Sequence, residues 1–406
     1  MTPEKSEATC PECGKPLPSP GAVCPRCTSA FVVWGRSRTV FLSICGLLLI
    51  PMFTITGVIV RLFHEKQAKI AQDWRAAGEV NLAAARSVVA IEDFRNALLY
   101  SPDSTQLQLE LAQALTEQGQ LDEAQDYLFN LRTADPENSL INLELARIAV
   151  RRGDVDSATT YFHDAMYGHW PNNPHTNQLT TRKELIEFFL SHNRRDAARA
   201  ESLSMAADNP ADPEVRVQAA DFLLQAGDAQ SALAEYQRVL HMEPENGDAL
   251  AGSGKAALAV GQFGQAERYF TQAILRGSKD SSVERDRDIS SEAAELNPYD
   301  TQLNDRERQR RILRMLDAAQ ARVTSCFPAL LEGSKVPVPD KLKTLATDRA
   351  ALPKQLTGQV FAMQPELEKT ALIWVFEVER SAASQCGTGT ITDAAIELIA
   401  GQHKET

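Results

Sequence analysis

Between Cys45 and Cys326 the chain has no cysteine. Seven cysteines occur in 406 residues: four before residue 30, Cys45 within an apolar run, and two near the C-terminus. That placement rules out a disulfide framework through the middle of the molecule. Positive charge is also short. Lys and Arg number 42 against 54 Asp and Glu, a formal net charge of −12, which argues against a general nucleic-acid binder, expected to be basic. Catalytic signatures are missing as well. There is no Ser-His-Asp signature, no dinucleotide fingerprint, no paired-carboxylate motif and no Cys-x-x-Cys-His for haem attachment. His163, His169 and His175 are evenly spaced, but no carboxylate pattern supports a metal site beside them. The chain reads as a protein that is not an enzyme.

What is present is a period. From Ala71 to Asp280 the chain repeats every 34 residues, marked by Pro102 and Pro136 and again by Pro210 and Pro244. With proline as position 32, the first repeat places Trp74 at position 4, Gly78 at 8, Ala90 at 20, Phe94 at 24 and Ala97 at 27. The second gives Leu111, Ala112, Ala124 and Leu128, and the third Leu145, Ala146, Ala158, Phe162 and Ala165. A fourth, degenerate repeat keeps Leu185 and Ala198 and follows an insertion, Pro171 to Asn177. The fifth gives Ala220, Gly227, Ala232 and Tyr236; the sixth gives Gly254, Gly261, Ala266, Phe270 and Ala273. Small residues at 8 and 20 let two helices approach. The aromatic at 24 fills the space against the next pair. Glycine near position 15 (Gly119, Gly153, Gly227, Gly261) ends the first helix where a positive φ is useful, and proline stops the second.

This pattern resembles the tetratricopeptide repeat. The resemblance covers about half of the chain and implies an all-α solenoid that stacks because no single hairpin buries its own apolar face. It also implies a right-handed superhelix with a concave groove for proteins or peptides. In this family the groove comes from the first helix of each repeat, notably positions 2, 5, 9 and 12. Position 9 holds Glu79, Gln113, Arg147, Glu187, Asp221 and Lys255. Position 12 holds Leu82, Thr116, Val150, Leu190, Leu224 and Leu258. A wall of mixed charge with an aliphatic strip suits a peptide or an amphipathic helix. The glycines of Ala251-Gly-Ser-Gly254-Lys255 do not make a phosphate loop. Ala249 stands where the motif needs glycine, Ala256 where it needs Ser or Thr, and Gly254 is accounted for by repeat packing.

Two segments precede the array. Cys10-Pro-Glu-Cys13 and Cys24-Pro-Arg-Cys27 are paired knuckles whose four thiolates suit tetrahedral zinc. Residues 1–38 resemble the short zinc ribbons at the start of many bacterial membrane proteins. With four cysteine ligands no position is left for a catalytic water, so the zinc is expected to be structural. Two disulfides or a redox pair are the alternatives. From Val40 to Val60 the chain carries no charge, and these 21 residues meet the roughly 20 needed for a membrane-spanning helix. The expected anchor is residues 39–63, bracketed by Arg36, Arg38 and Arg61, with Trp34 at the interface and Pro51 inside. Flanking charge does not choose an orientation. Thiolate zinc prefers a reducing cytoplasm and a Cys326–Cys386 disulfide an oxidising space, which places the N-terminus in the bacterial cytoplasm and the array in the periplasm.

After the array (71–280), residues 281–330 read as a cap and 331–406 as a helical tail covering the end of the solenoid. Within them Ser281 to Ser291 reads as a charged connector, about Thr301 to Ser325 as a long helix with Ile312, Leu313, Leu316 and Val323 inward, and Lys335 to Pro339 as a linker. Leu367 to Arg380 reads as a buried helix or a strand, and Asp393 to Ala400 as a last helix capped by Thr392. Cys326 and Cys386 are either a disulfide or two unrelated buried thiols. The expected function is a membrane-anchored interaction scaffold for envelope assembly or secretion, or, with inverted topology, a cytoplasmic adaptor or regulator. The sequence does not give the partner or the oligomeric state.

Overall fold

The computed structural model describes residues 8–326, 348–349, 352–353, 356–387 and 389–403, without the side chains of 28–41 and 43–45. The expected linker at Lys335 to Pro339, and the side chains of Trp34, Arg36 and Arg38, therefore lie outside the described residues. The described chain is all-α, with seventeen helices and, as its β pairing, an isolated bridge between Thr9 and Pro16. It divides into two compact units, Met1–Gly153 and Asp154–Thr406.

The first unit holds α1 (Pro25–Ala83), α2 (Ser87–Tyr100), α3 (Thr105–Gln118), α4 (Leu121–Ala134) and α5 (Ser139–Arg152). Helix α1 runs for 59 residues without a break. It carries both the apolar stretch and the first helix of the first repeat. Pro51 sits inside it, followed by Thr54 and Thr56, whose hydroxyls donate to the carbonyls of Pro51 (2.9 Å) and Met52 (2.8 Å). The apolar side chains there face outward: Leu47 is 74% and Phe53 70% exposed. By length and composition, Gly46–Ala83 is long and apolar enough to cross a membrane.

The repeat positions do the packing work expected of them. Ala90, Phe94, Ala97, Leu111, Ala112, Ala124 and Leu128 are fully buried. A Cβ at Gly78 would lie 2.7 Å from the Phe94 ring, so only glycine lets α1 and α2 close. Position 15 has a positive φ in all six repeats, through Gly119, Gly153, Gly227 and Gly261 but also through Ala85 (φ 56°) and Asn193 (φ 55°). A second device is the residue two after the proline. Ser104, Asn138, Asp212 and Asn246 accept hydrogen bonds from the first-turn N–H groups of the next helix, each such cap stabilising by about 1 kcal/mol.

The second unit contains α6 (Val155–Tyr167), α7 (Pro174–Ser191), α8 (Arg195–Asp208), α9 (Pro213–Ala226), α10 (Ala229–Met242), α11 (Gly247–Ala259) and α12 (Phe263–Leu275). After these come α13 (Val283–Leu296), α14 (Asp305–Cys326), α15 (Gly358–Met363), α16 (Glu366–Cys386) and α17 (Ile391–Gln402). The insertion before the fourth repeat is partly helical. Pro174 opens α7 and extends it to 18 residues.

Three local expectations need correction. The charged segment from Ser281 is no connector but enters α13, because Val283, Ile289, Ala293 and Leu296 bury one stripe while the charges face out. The long helix starts at Asp305, not Thr301, because the Asn304 side chain accepts from Glu307 N (2.9 Å) and sets the start. The last helix is capped by Thr390, not Thr392. Thr390 and Asp393 satisfy each other's backbone N–H groups in a capping box, while the Thr392 hydroxyl reaches Glu292 (3.1 Å). The apolar block of Leu367 to Arg380 is helical throughout α16. One hydrophobic core takes in Phe263 of the last repeat, Ile289 and Leu296 of α13, Ile312 and Met315 of α14, Trp374 and Phe376 of α16, and Ile396 of α17. Gln402 closes it with a bond to the carbonyl of Ala259 (2.7 Å).

Candidate functional site

The first candidate is the N-terminal thiol cluster. Gly14 takes φ +67°, its N–H donating to Cys10 O (2.9 Å) while Cys10 N donates to Lys15 O (2.7 Å), so the first knuckle turns tightly. The second knuckle is the start of α1: Cys24 is its N-cap and Pro25 its first residue. These two devices bring all four Sγ atoms within 4.8 Å of one another, with Cys13 to Cys24 at 3.5 Å and Cys10 to Cys27 at 4.0 Å. Zn–S bonds of about 2.3 Å in a tetrahedron place sulfurs about 3.8 Å apart, so the spacing fits a metal ion. The electrostatics agree. The N–H groups of Cys27 and Arg26 lower the Cys24 thiol to about 6, while the bond with Cys13, followed by desolvation, pushes Cys27 up to about 12. One thiolate forms readily, and the last forms only if a cation offsets the crowded charge.

The second candidate is the set of first-helix positions, taken unit by unit. In the first unit Glu79 pairs with Arg75 (2.8 Å), which also holds Glu110 (2.7 Å). Gln113 donates to Glu144 (3.0 Å), and Arg147 pairs with the same carboxylate (2.8 Å). These three position-9 residues thus sit in short polar chains along the helices. Thr116 is buried and bonded to Ala112 O (2.8 Å), which removes it from any contact surface.

In the second unit Glu187 is exposed, and Leu190, Leu224 and Leu258 are half-buried. Leu258 packs its buried part against both the repeat core and the core that α13 to α17 share. Asp221 and Lys255 are brought together in one cavity of about 330 Å³ between α9 and α11. Val217, Asp248, Gly252 and Asp280 line it with them. Lys255 holds Asp280 at 2.5 Å. Asp221 accepts from the Tyr236 hydroxyl at 2.5 Å; desolvation pushes the Asp221 carboxyl up, against that bond. Sequence reasoning missed Asp248, although it stands at position 2 of its repeat, one of the positions expected to face the groove. It also missed Gly252, which has no Cβ because the Tyr236 ring occupies that space.

The third feature is the tail. Cys326 and Cys386 form a disulfide joining the ends of α14 and α16, with Cα atoms 6.1 Å apart. Beneath it Arg322 lies 3.9 Å from Glu379 and 3.7 Å from Asp393, and donates to Gly387 O (2.6 Å). His163 has a plain role, facing Glu201 (3.6 Å) and stacking on Tyr167.

Family models of the tetratricopeptide repeat match residues 81–135 and 223–285, and a second such model matches 109–174. The matched stretches, which together cover less than half of the chain, are similar to tetratricopeptide repeats, and the described chain is all-α. No curated protein matches it. Among solved structures it is similar to pilF of Pseudomonas aeruginosa, with 15% identity, 54% of this chain and 97% of that one covered, and a TM-score of 0.37. It is also similar to the C-terminal part of a repeat-containing protein from Cytophaga hutchinsonii (15%, 60% and 94%, 0.42). A third is PilW, described as a type IV pilus biogenesis factor (16%, 53% and 97%, 0.37).

Proposed function

We propose that this protein is a single-pass scaffold in a bacterial inner membrane, whose periplasmic repeats recruit peptide or protein partners for envelope assembly or secretion. Residues 1–38 form a cytoplasmic tag built on structural zinc held by Cys10, Cys13, Cys24 and Cys27. Residues 39–63 are the membrane segment, 71–280 the array, 281–330 its cap and 331–406 the tail. The partner meets Glu79, Gln113, Arg147, Glu187, Asp221 and Lys255, with Leu190, Leu224 and Leu258 beside them.

One observation carries the reading. Four cysteines outside any disulfide stand near one end of the chain and a disulfide near the other, with the outward-facing apolar stretch of α1 between them. Thiolates persist in a reducing compartment and disulfides in an oxidising one, so the two ends suit opposite sides of a membrane.

Thiol labelling in intact cells tests it. Asp103 is an exposed turn residue, and Asp103→Cys labelled by a membrane-impermeant reagent supports a periplasmic array. Labelling only after lysis gives the inverted reading, a cytoplasmic adaptor. Partner capture that survives in a chain ending at Glu65 removes the repeats from the function altogether.

A further inference from the structure

Helix α16 buries one side in the cap through Ala371, Trp374, Val375, Val378 and Ala382. Its opposite side carries a stripe at helical spacing. Glu366, Lys369, Ile373 and Arg380 are exposed and Glu377 is half-exposed. At the centre Ile373 is 43% exposed, a large apolar side chain in the open. Beside it runs a groove of about 740 Å³, floored by Ile312, Leu372 and Phe376 and walled by the stacked rings of Tyr299 and His403. Glu366, Lys369, Glu377 and Arg380 have no ion-pair partner among the described residues.

The order of charges along this stripe is self-complementary. Glu366 lies seven residues before Ile373 and Arg380 seven after it; Lys369 lies four before and Glu377 four after. Two copies of α16 laid antiparallel about a two-fold axis at Ile373 therefore set Lys369 against Glu377 of the partner subunit, and Glu366 against Arg380 of the partner subunit. Symmetry makes each pair occur twice. A parallel, in-register pairing sets every charge against its like. The stripe from Glu366 to Arg380 is about 21 Å long, enough for several turns of contact, and the groove gives the apolar component that charges alone lack.

We propose that a second copy of this chain docks here, so that the protein is a homodimer joined through α16 of its tail, with each Ile373 seated at the groove beside Leu372 and Phe376 of the partner subunit. The pairing concerns the tail and goes beyond partner recruitment by the repeats.

Sedimentation of the full chain in detergent micelles tests it. The wild type is expected to be a dimer at micromolar concentration. Lys369→Glu alone, or Glu377→Lys alone, places like charges opposite each other twice and raises the dimer dissociation constant by roughly tenfold or more. The double variant Lys369→Glu/Glu377→Lys reverses both charges and restores the wild-type value, which a folding defect would not do. A monomeric wild type, which would leave the stripe to a different partner, overturns the proposal. Single variants that dimerise like the wild type, or a double variant no better than the singles, overturn it equally.

Discussion

The ring of Phe270 lies against the backbone of Gly254 so closely that a Cβ there would come within 2.5 Å of it. Phe270 is fully buried, and it packs α12 onto α11 at the point where Gly254 leaves room. Gly254→Ala gains about 1 kcal/mol of helix propensity, but forcing the ring to move costs about 1–3 kcal/mol. The variant is expected to be less stable by about 1 kcal/mol in thermal unfolding, and Gly254→Ala/Phe270→Leu to recover part of that loss. A more stable single variant would show that the contact yields freely.

Ala85 bears a strained conformation that its equivalents avoid. Its φ of 56° sits where the other repeats use glycine or, at Asn193, asparagine. A Cβ in the left-handed region costs of the order of 1 kcal/mol. Ala85→Gly is therefore expected to raise stability by about 0.5 kcal/mol after the added freedom of the unfolded chain is set against it. Asn193→Gly should change less, since asparagine tolerates that region. Urea unfolding of both variants checks the order.

Glu379 gives the tail a pH dependence. It is 2% exposed; desolvation and then repulsion from Asp393 push its acid up to about 8, against the pull of Arg322. The folded value lies above the ordinary 4.5. Between the two the folded chain keeps a proton that the unfolded chain has released. The stability tied to this group is fully present below about 4.5 and is lost as pH rises through about 8. The unfolding free energy should fall over that window, by no more than a few kcal/mol at about 1.4 kcal/mol per pH unit. Glu379→Gln should flatten the profile. Parallel profiles for the two proteins would remove Glu379 as the cause.

The thiol cluster makes a prediction in metal content. The purified chain is expected to carry one zinc ion, and Cys13→Ser to carry almost none, by elemental analysis. Amide hydrogens of Cys10 and Gly14, now bonded within the knuckle, should exchange much faster once a chelator has removed the metal. Full zinc occupancy in Cys13→Ser would put the ion elsewhere.

The array was legible because its constraints are local and periodic. Gly78, Ala90 and Phe94 are close in space because they are one hairpin apart, and every hairpin repeats the arrangement. The caps at Ser104, Asn138, Asp212 and Asn246 were present in the same phase and passed unread, since Ser, Asn and Asp are common enough in turns not to stand out. The tail resisted for the opposite reason. Phe263 joins the cap core with Trp374 and Ile396, contacts over a hundred residues apart that no period announces. The charged face of α13 masked its buried stripe in the same way. Lys255 and Asp221 were each foreseen, but not their meeting in one cavity, because that depends on how α9 and α11 lie side by side.

The uninterrupted course of α1 has a mechanical consequence. An α-helix of 59 residues rises about 90 Å along its course with about 100° of turn per residue, and it places no loop between the apolar stretch and the first hairpin. Any roll of the apolar stretch about its own axis is delivered to Phe94 and its neighbours as a rotation of equal size. Adding two residues after Lys66 would reorient everything beyond that point in the first unit by about 200° while leaving each hairpin's own packing untouched. The heading of the repeats is thus written in a residue count, like the throw of a crankshaft.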